Sequence, residues 1–336
     1  MDTGGGPLRA AVIGTGWIGQ RHLGELTGRR DVEVVAVCDL DEAAATAAAP
    51  PGAATFTDWR EMLRSARPDA VWVCTPPRHH RLPTVAALEL GIAVYLEKPI
   101  ARTLADAGAI VAAATVTGAV CAVGYQWHAL HALDRVRQLL SGRAVGCLTG
   151  QSVGGTQSRS WFLSQAEGGG NLLERGSHHI DLARAVGGEV VAVQAAASSV
   201  RLAPQAGLPA DIDDAVTIVL HFESGGLGTI VVAWTRDGAP GSHWAEAAAD
   251  GARLRLDLDP QFRLSGICDG TPVNAAAETD PFARSADRFI GAVRAGEPGH
   301  IFCSPSDALR TLAVAVAAEE ASRDGTTVPV APLPAC

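Results

Sequence analysis

The 336-residue sequence predicts an α/β protein of two domains, the first a parallel sheet with helices on both faces. Three observations carry this. Apolar strand-like runs alternate with helical runs over roughly the first 125 residues, the rhythm of βαβ units. A glycine-rich turn joins the first run to the first helix. The chain is also longer than one ordinary hydrophobic core supports.

The elements follow in order. LRAAVIGTGWIGQRHLGEL passes from an apolar strand through a turn into a helix, with Gly14, Gly16 and Gly19 forming GxGxxG. The first glycine permits a tight turn and the second lets the backbone approach a pyrophosphate. The third lets the helix pack closely on the strand, and the helix N-terminus favours phosphate anions. A second strand, VEVVAVCDL, ends at Asp39, twenty residues past Gly19. A dinucleotide-binding (Rossmann) fold sets an acid there against the adenosine ribose hydroxyls. The same carboxylate repels a 2′-phosphate, so NAD is expected over NADP. AAATAAAPPGAA (43–54) reads as a helix running into a loop.

DAVWVCTPP, IAVYLEKP and AVCAVGYQ then read as strands, separated by the helices HHRLPTVAALELG and TLADAGAIVAAATVTG. Ligands on such sheets bind beyond the carboxyl ends of the strands. Thr75, Pro76, Glu97, Lys98, Tyr125 and Gln126 all fall at those ends. The expected cofactor contacts are Gly14, Gly16, Trp17, Ile18, Gly19, Asp39, Thr75, Pro76, His80, Glu97, Lys98 and Gln126. The expected boundary puts the dinucleotide domain at 1–125 and a substrate-binding, oligomerising domain at 126–336.

Bulk properties narrow the partners. A formal charge of −9 argues against nucleic acid or an anionic membrane surface. No apolar run reaches the roughly 18–20 residues of a membrane span. The opening MDTGGGPLRA lacks a secretory signal layout, which implies a cytoplasmic protein with a flexible start. Seven cysteines, an odd number without a CxxC pair, are expected as buried reduced thiols.

CTPPRHH (74–80), LEKP (96–99) and GGGNLLERGSHHID (168–181) together resemble the glucose–fructose oxidoreductase/inositol dehydrogenase/MocA family. The resemblance runs over almost the whole chain. Thr75-Pro76-Pro77-Arg78-His79-His80 stands where the family has TPNxxH, with Pro77 in place of the common asparagine. Glu97-Lys98-Pro99 matches its EKP. The third stretch is similar to GGGxLxDxGxHxxD, with Glu174 where aspartate is commoner and Arg175 where a neutral residue often sits. The family implies a second α/β domain around a large, mostly antiparallel open sheet, with substrate held between that sheet and the nicotinamide. DAVTIVLHF, GLGTIVVAWT, HWAEAAADG and ARLRLDLD read as strands of such a sheet. FARSADRFIGAVRAG and SPSDALRTLAVAVAAEEASRDG read as helices, the second with Ser304 and Ser306 as candidate caps and Gly325 as a stop.

Lys98 closes an apolar strand facing the ligand end of the sheet. A cation there can bond a substrate hydroxyl and stabilise the alkoxide formed as hydride leaves. Family members use this lysine so, and the resemblance implies a cis Lys98–Pro99 bond. On a helix at 100° per residue, Glu174, His178 and Asp181 fall at about 0°, 40° and 340°, on one side. Leu172, Leu173, Ile180 and Ala183 take the other side, and His179 points elsewhere. A solvated edge would give the same arc. The preceding glycine run, Gly176 within the helix and the family pattern, which sets this helix against the nicotinamide, favour function. Histidine suits proton transfer near neutral pH. His178 is therefore expected as the general base, Glu174 as its partner or a substrate ligand, and Asp181 as structural.

A zinc site built from these residues needs further ligands such as His79, His80 or His128, and hydride transfer does not require one, so no metal is expected. Tyr125, Trp127, His128 and Trp161 join Lys98, Glu174 and His178 as expected substrate contacts. Aromatic walls suit the apolar C–H faces of a polyhydroxylated ring, although core packing accounts for Trp127 and Trp161 equally well. The acidic DIDDA (211–215) suits either an amino group on the substrate or a solvated loop.

The expected activity is NAD-dependent oxidation or reduction at a secondary hydroxyl or keto group of a sugar, cyclitol or aminosugar, by a homodimer or homotetramer. An NAD-retaining glycosidase or epimerase using transient oxidation, and a non-catalytic NAD-binding regulator, are the alternatives.

Overall fold

The computed structural model describes residues 6–155, 159–200, 211–235, 241–276 and 280–331. The first five residues of the expected flexible start, Gln157 and Ser158 of the QSRSWFL stretch, and Cys336 lie outside the described residues.

The first unit alternates strand and helix as β1 (Leu8–Ile13), α1 (Trp17–Thr27), β2 (Val32–Cys38), α2 (Glu42–Ala48), β3 (Ala54–Phe56) and α3 (Trp59–Ala66). It continues through β4 (Ala70–Val73), α4 (Arg81–Glu89), β5 (Ala93–Leu96), α5 (Leu104–Thr117) and β6 (Cys121–Val123). The strands pair in parallel in the order β3-β2-β1-β4-β5-β6. The order reverses between β1 and β4, which is where ligands settle on open α/β sheets. β4 and β5 are buried at every residue, as strands covered on both faces must be. Short polar side chains start the helices: Asp41, Asp58 and Thr103 accept first-turn N–H groups of α2, α3 and α5.

The second unit holds α6 (His131–Leu139), β7 (Val145–Gly155), α7 (Ser177–Gly187), β8 (Val190–Ser198), β9 (Ala215–Phe222), β10 (Leu227–Thr235) and β11 (Ser242–Ala249). After these come β12 (Ala252–Asp257), β13 (Arg263–Cys268) and β14 (Thr271–Ala275). The nine-stranded sheet runs β14-β13-β12-β11-β7-β10-β9-β8 and ends on β15 (Val328–Pro329). Only the β7–β10 pair is parallel. Burial alternates along β9, β10 and β12. Ile218, Leu220, Ile230, Val232, Leu254 and Leu256 fill the face on which α6 and α7 pack. Thr229, Thr149, Glu246 and Arg255 form one cross-strand row of the opposite face.

A single break at 125/126 does not describe the chain. Among the described residues, 281–309 pack with 6–126, while those of 127–280 and 310–331 form the other unit. The returning helix α8 (Pro281–Ala295) explains this. Its Phe289 stands edge-on to Trp72, with ring centroids 5.2 Å apart, and its Ser285 hydroxyl meets the Tyr95 hydroxyl at 3.0 Å. Matching of side chains across roughly two hundred residues of separation is invisible to periodicity. α9 (Pro305–Asp324) is capped by Ser304, whose Oγ accepts the Asp307 N–H at 3.1 Å, and stops at Gly325 with φ +66°.

Six cysteines are described as thiols without disulfides; Cys147 is exposed, against the expectation that all are buried, and the other five are buried. No helix among the described residues is long and apolar enough to cross a membrane.

Candidate active site

In the first unit the ligand-facing strand ends carry a glycine loop, an acid and a lysine turn. Gly14, just after β1, has φ +91°, and a Cβ there would lie 2.7 Å from the Cys74 carbonyl oxygen. Gly19 packs closer still: a Cβ would fall 2.0 Å from the Gly14 carbonyl oxygen. Gly16 caps α1 without a side chain, which leaves first-turn N–H groups for a ligand's anionic group. The cradle fits a dinucleotide pyrophosphate. Trp17 is exposed, whereas the half-buried Ile18 side chain packs against the apolar core.

Asp39 follows β2 and holds the loop from the side. Its Oδ2 accepts the Thr15 N–H at 2.7 Å and the Thr15 hydroxyl at 2.8 Å, and Oδ1 accepts the Asp41 N–H at 3.1 Å.

Two residues expected to touch the cofactor are turned inward. His80 is fully buried, with Nε2 2.7 Å from the Thr75 carbonyl and Nδ1 2.9 Å from that of Pro99. Burial pushes its pKa down, and a neutral ring donates to one of these carbonyls at a time. His80 is a brace between the Thr75 and Pro99 turns. Glu97 is buried too; Oε1 accepts from His22 Nε2 at 2.8 Å and Oε2 from the Lys98 N–H at 3.1 Å. The apolar context of both residues, with backbone carbonyls and an imidazole in reach, decides their direction. His22 has no motif of its own and escaped the sequence reading.

Lys98 is half-buried, and its bond to Pro99 is cis as the resemblance implied. It is the only lysine in the sequence: of 27 basic residues, every other is arginine. An arginine cannot exchange its proton near neutral pH, whereas a lysine tuned by its surroundings can. That contrast was legible in the composition. Thr75 and Gln126 are half-buried, and Tyr125 is buried.

The second unit carries the histidines. Trp127 is buried, its ring 4.8 Å from that of His178 and edge-on to His179 at 4.9 Å. His128 is also buried, with Nε2 2.6 Å from Asp181 Oδ2. Asp181 Oδ1 accepts the Thr311 hydroxyl at 3.0 Å, and Thr311 accepts from Arg184 Nη1 at 2.7 Å. Arg184 in turn grips Glu189 with Nη2 and Nε. His128, expected as a substrate contact, has its Nε2 committed to Asp181.

The expected shared arc breaks at this point. Leu172–Gly176 forms one wide π-helical turn before α7, so the straight-helix angles do not carry through it. Asp181 is 1 % exposed, while Glu174 and His178 are half-buried. His179 lies buried by the backbone of Gln151 and Trp244, and burial pushes its pKa down to about 3. Gly176 lies against the sheet: a Cβ would meet Val232 Cγ2 at 3.4 Å, an ordinary packing contact that does not by itself require glycine.

Trp161 stacks on Phe162 beside the cluster of Leu163, Ile212 and Trp234, which favours the packing role. Arg175 donates to the Gly155 carbonyl at 3.2 Å, and burial lowers its pKa against the opposing charge of Glu174. DIDDA is a loop of mixed burial, with Asp211 and Asp213 exposed. Ile212 and Asp214 are buried, and Asp211 accepts the Gln165 N–H at 2.7 Å.

Parallel sheet, glycine cradle, an acid at the end of β2 and a lysine at the end of β5 belong to a nicotinamide-dependent dehydrogenase acting on CH–OH groups. Residues 8–125 match the family model described as an oxidoreductase family with an NAD-binding Rossmann fold, and residues 143–255 match the GFO/IDH/MocA C-terminal domain. The chain belongs to the GFO/IDH/MocA oxidoreductase family. It is 35 % identical to D-glucoside 3-dehydrogenase of Escherichia coli strain K12 over 53 % of each chain. It is 29 % identical to D-apiose dehydrogenase of Paraburkholderia graminis over 96 % of this chain and 89 % of that one. The first match thus spans about half of its relative. A solved levoglucosan dehydrogenase, complexed with NADH and levoglucosan, shares the fold with a TM-score of 0.86 at 20 % identity, over 97 % of this chain and all of that one.

Proposed function

We propose that this enzyme oxidises or reduces a secondary hydroxyl or keto group of a sugar, cyclitol or aminosugar, using NAD in preference to NADP. The single observation that carries the reading is Lys98, the one lysine in a chain otherwise basic through arginine, placed at a strand end of the nucleotide-binding sheet. Relatives named for glucoside and apiose oxidation support the substrate class.

The bound nicotinamide supplies the hydride acceptor or donor. The Gly14–Gly19 loop and the N-terminal amides of α1 hold the pyrophosphate. The Asp39 carboxylate takes the ribose hydroxyls and disfavours a 2′-phosphate. Lys98 Nζ bonds the reacting oxygen and stabilises its negative charge. His178 takes the hydroxyl proton in oxidation and returns it in reduction, and Glu174 orients the imidazole or binds a second hydroxyl. The half-open sheet face around Val231, Trp244 and Thr229 suits a homodimer or homotetramer. Thiols without disulfides suit the cytoplasm.

The test is a panel of sugars, cyclitols and aminosugars offered with NAD or NADP, followed by the near-ultraviolet absorbance of reduced nicotinamide. Turnover of at least one polyol with NAD, lost in Lys98→Ala while NAD still binds, is expected. No turnover across the panel, or full activity in Lys98→Ala, would sink the reading.

A further inference from the structure

Lys98 sits in a turn fastened on both sides, and the fastening on its N-terminal side begins in another element. His22, in the second turn of α1, is 2 % exposed. Its ring stands edge-on to Tyr95 at 5.2 Å and to Phe282 at 5.7 Å, which sets the plane of the imidazole. Nε2 then meets Glu97 Oε1 at 2.8 Å, and Glu97 Oε2 accepts the Lys98 N–H at 3.1 Å. Gly124 makes room for the carboxylate, since a Cβ there would lie 2.8 Å from Oε1. After the lysine, His80 holds the carbonyl of Pro99.

A buried carboxylate is costly unless it is paired, and one backbone N–H does not satisfy both of its oxygens. The second oxygen is taken by a residue 75 positions earlier, on the helix that begins at the glycine cradle. A loosening of about 1 Å at a reacting group costs on the order of a hundredfold in rate.

We propose that His22 and Glu97 are positioning residues for Lys98: a buried imidazole–carboxylate pair that ties the lysine turn to α1. The proposal rests on the assignment of Lys98 as the reacting amine, and its test separates the two.

Because Lys98 is the sole lysine, reductive methylation with 13C-formaldehyde gives one lysine resonance, with the chain's α-amino group as internal reference. In His22→Ala, Lys98 is expected to label roughly threefold faster or more relative to that reference, as an amine released from a fixed site does. Turnover is expected to fall roughly tenfold or more, while the Kd for NAD stays within about twofold. His22→Gln, whose amide N–H can still reach Glu97, should recover both quantities to within roughly threefold of the parent. Labelling at the parent rate in His22→Ala overturns the proposal, whatever happens to turnover. If His22→Ala does not fold, Glu97→Gln carries the same labelling test, and an unchanged rate overturns the proposal equally. Faster labelling in a protein that turns over no polyol keeps the positioning pair and removes the functional reading instead.

Discussion

Oδ2 of Asp181 lies 2.6 Å from Nε2 of His128, across 53 residues of sequence. That bond fastens the turn bearing Trp127 to α7, and Trp127 in turn lies over His178. The aspartate that sequence geometry grouped with Glu174 and His178 thus works from beneath the helix, through a chain of bonds that continues to Thr311 and Arg184.

Asp181→Asn is therefore expected to act on stability before chemistry. One oxygen becomes a donor, and a buried charge-assisted bond to His128 or Thr311 is lost, costing about 1–3 kcal/mol. Urea unfolding should show a lower midpoint with an unchanged slope. The folded variant should retain measurable turnover, whereas His178→Asn should lose roughly 10²–10⁴-fold. Equal losses of activity in the two variants would count against this separation of roles.

Lys98→Arg keeps the positive charge but replaces a compact ammonium with a longer, planar guanidinium. If the amine stabilises the reacting oxygen at short range, kcat should fall by roughly 10²–10⁴-fold even though the charge is conserved. NAD binding by fluorescence titration should stay near the parent value. Wild-type kcat in this variant would reduce Lys98 to a point charge.

Asp39 has two tasks in the proposed site, holding Thr15 and facing the ribose. Asp39→Ser should raise the NADP/NAD ratio of kcat/KM by roughly tenfold or more, through removal of charge repulsion. It should also weaken NAD itself, because the loop N–H of Thr15 loses a charged acceptor. A ratio that does not move would show that Asp39 serves the loop alone.

Burial of His179 and His80 contributes to the acid limb of stability. The pKa of His179 is pushed down to about 3 from 6.5 by burial, and that of His80 is lowered for the same reason. Below pH 6.5 the unfolded chain takes up protons that the native state refuses, so stability falls as the pH drops from 6.5 towards 3. For His179 alone the slope approaches about 1.4 kcal/mol per pH unit. His179→Gln should be less stable at neutral pH yet flatten this limb, as read from urea midpoints across the range. Parallel pH profiles for parent and variant would rule the mechanism out.

The parts of the site legible in the sequence share one property: their physics is local. Gly14 is required by its backbone direction, φ +91°, and Gly19 by the approach of the Gly14 carbonyl five residues away. Asp39 and Lys98 are placed by where a strand ends, and strand ends follow from runs of buried apolar residues. The caps at Asp41, Asp58, Thr103 and Ser304 belong to the same short range. The sole lysine also stands in the composition, the one side-chain amine beside twenty-six arginines.

Only the tertiary structure decided which polar residues face one another. His22 reaches Glu97 across 75 positions, Thr311 reaches Asp181 across 130, and α8 returns from residue 281 to Trp72 and Tyr95. Each of these pairings answers a buried group's need for a partner, and that need does not name the partner. An inward-turned Glu97 and an outward one have the same residue at the same strand end. The choice between them is made by whichever distant side chain the packing brings within hydrogen-bond distance, here the imidazole of His22.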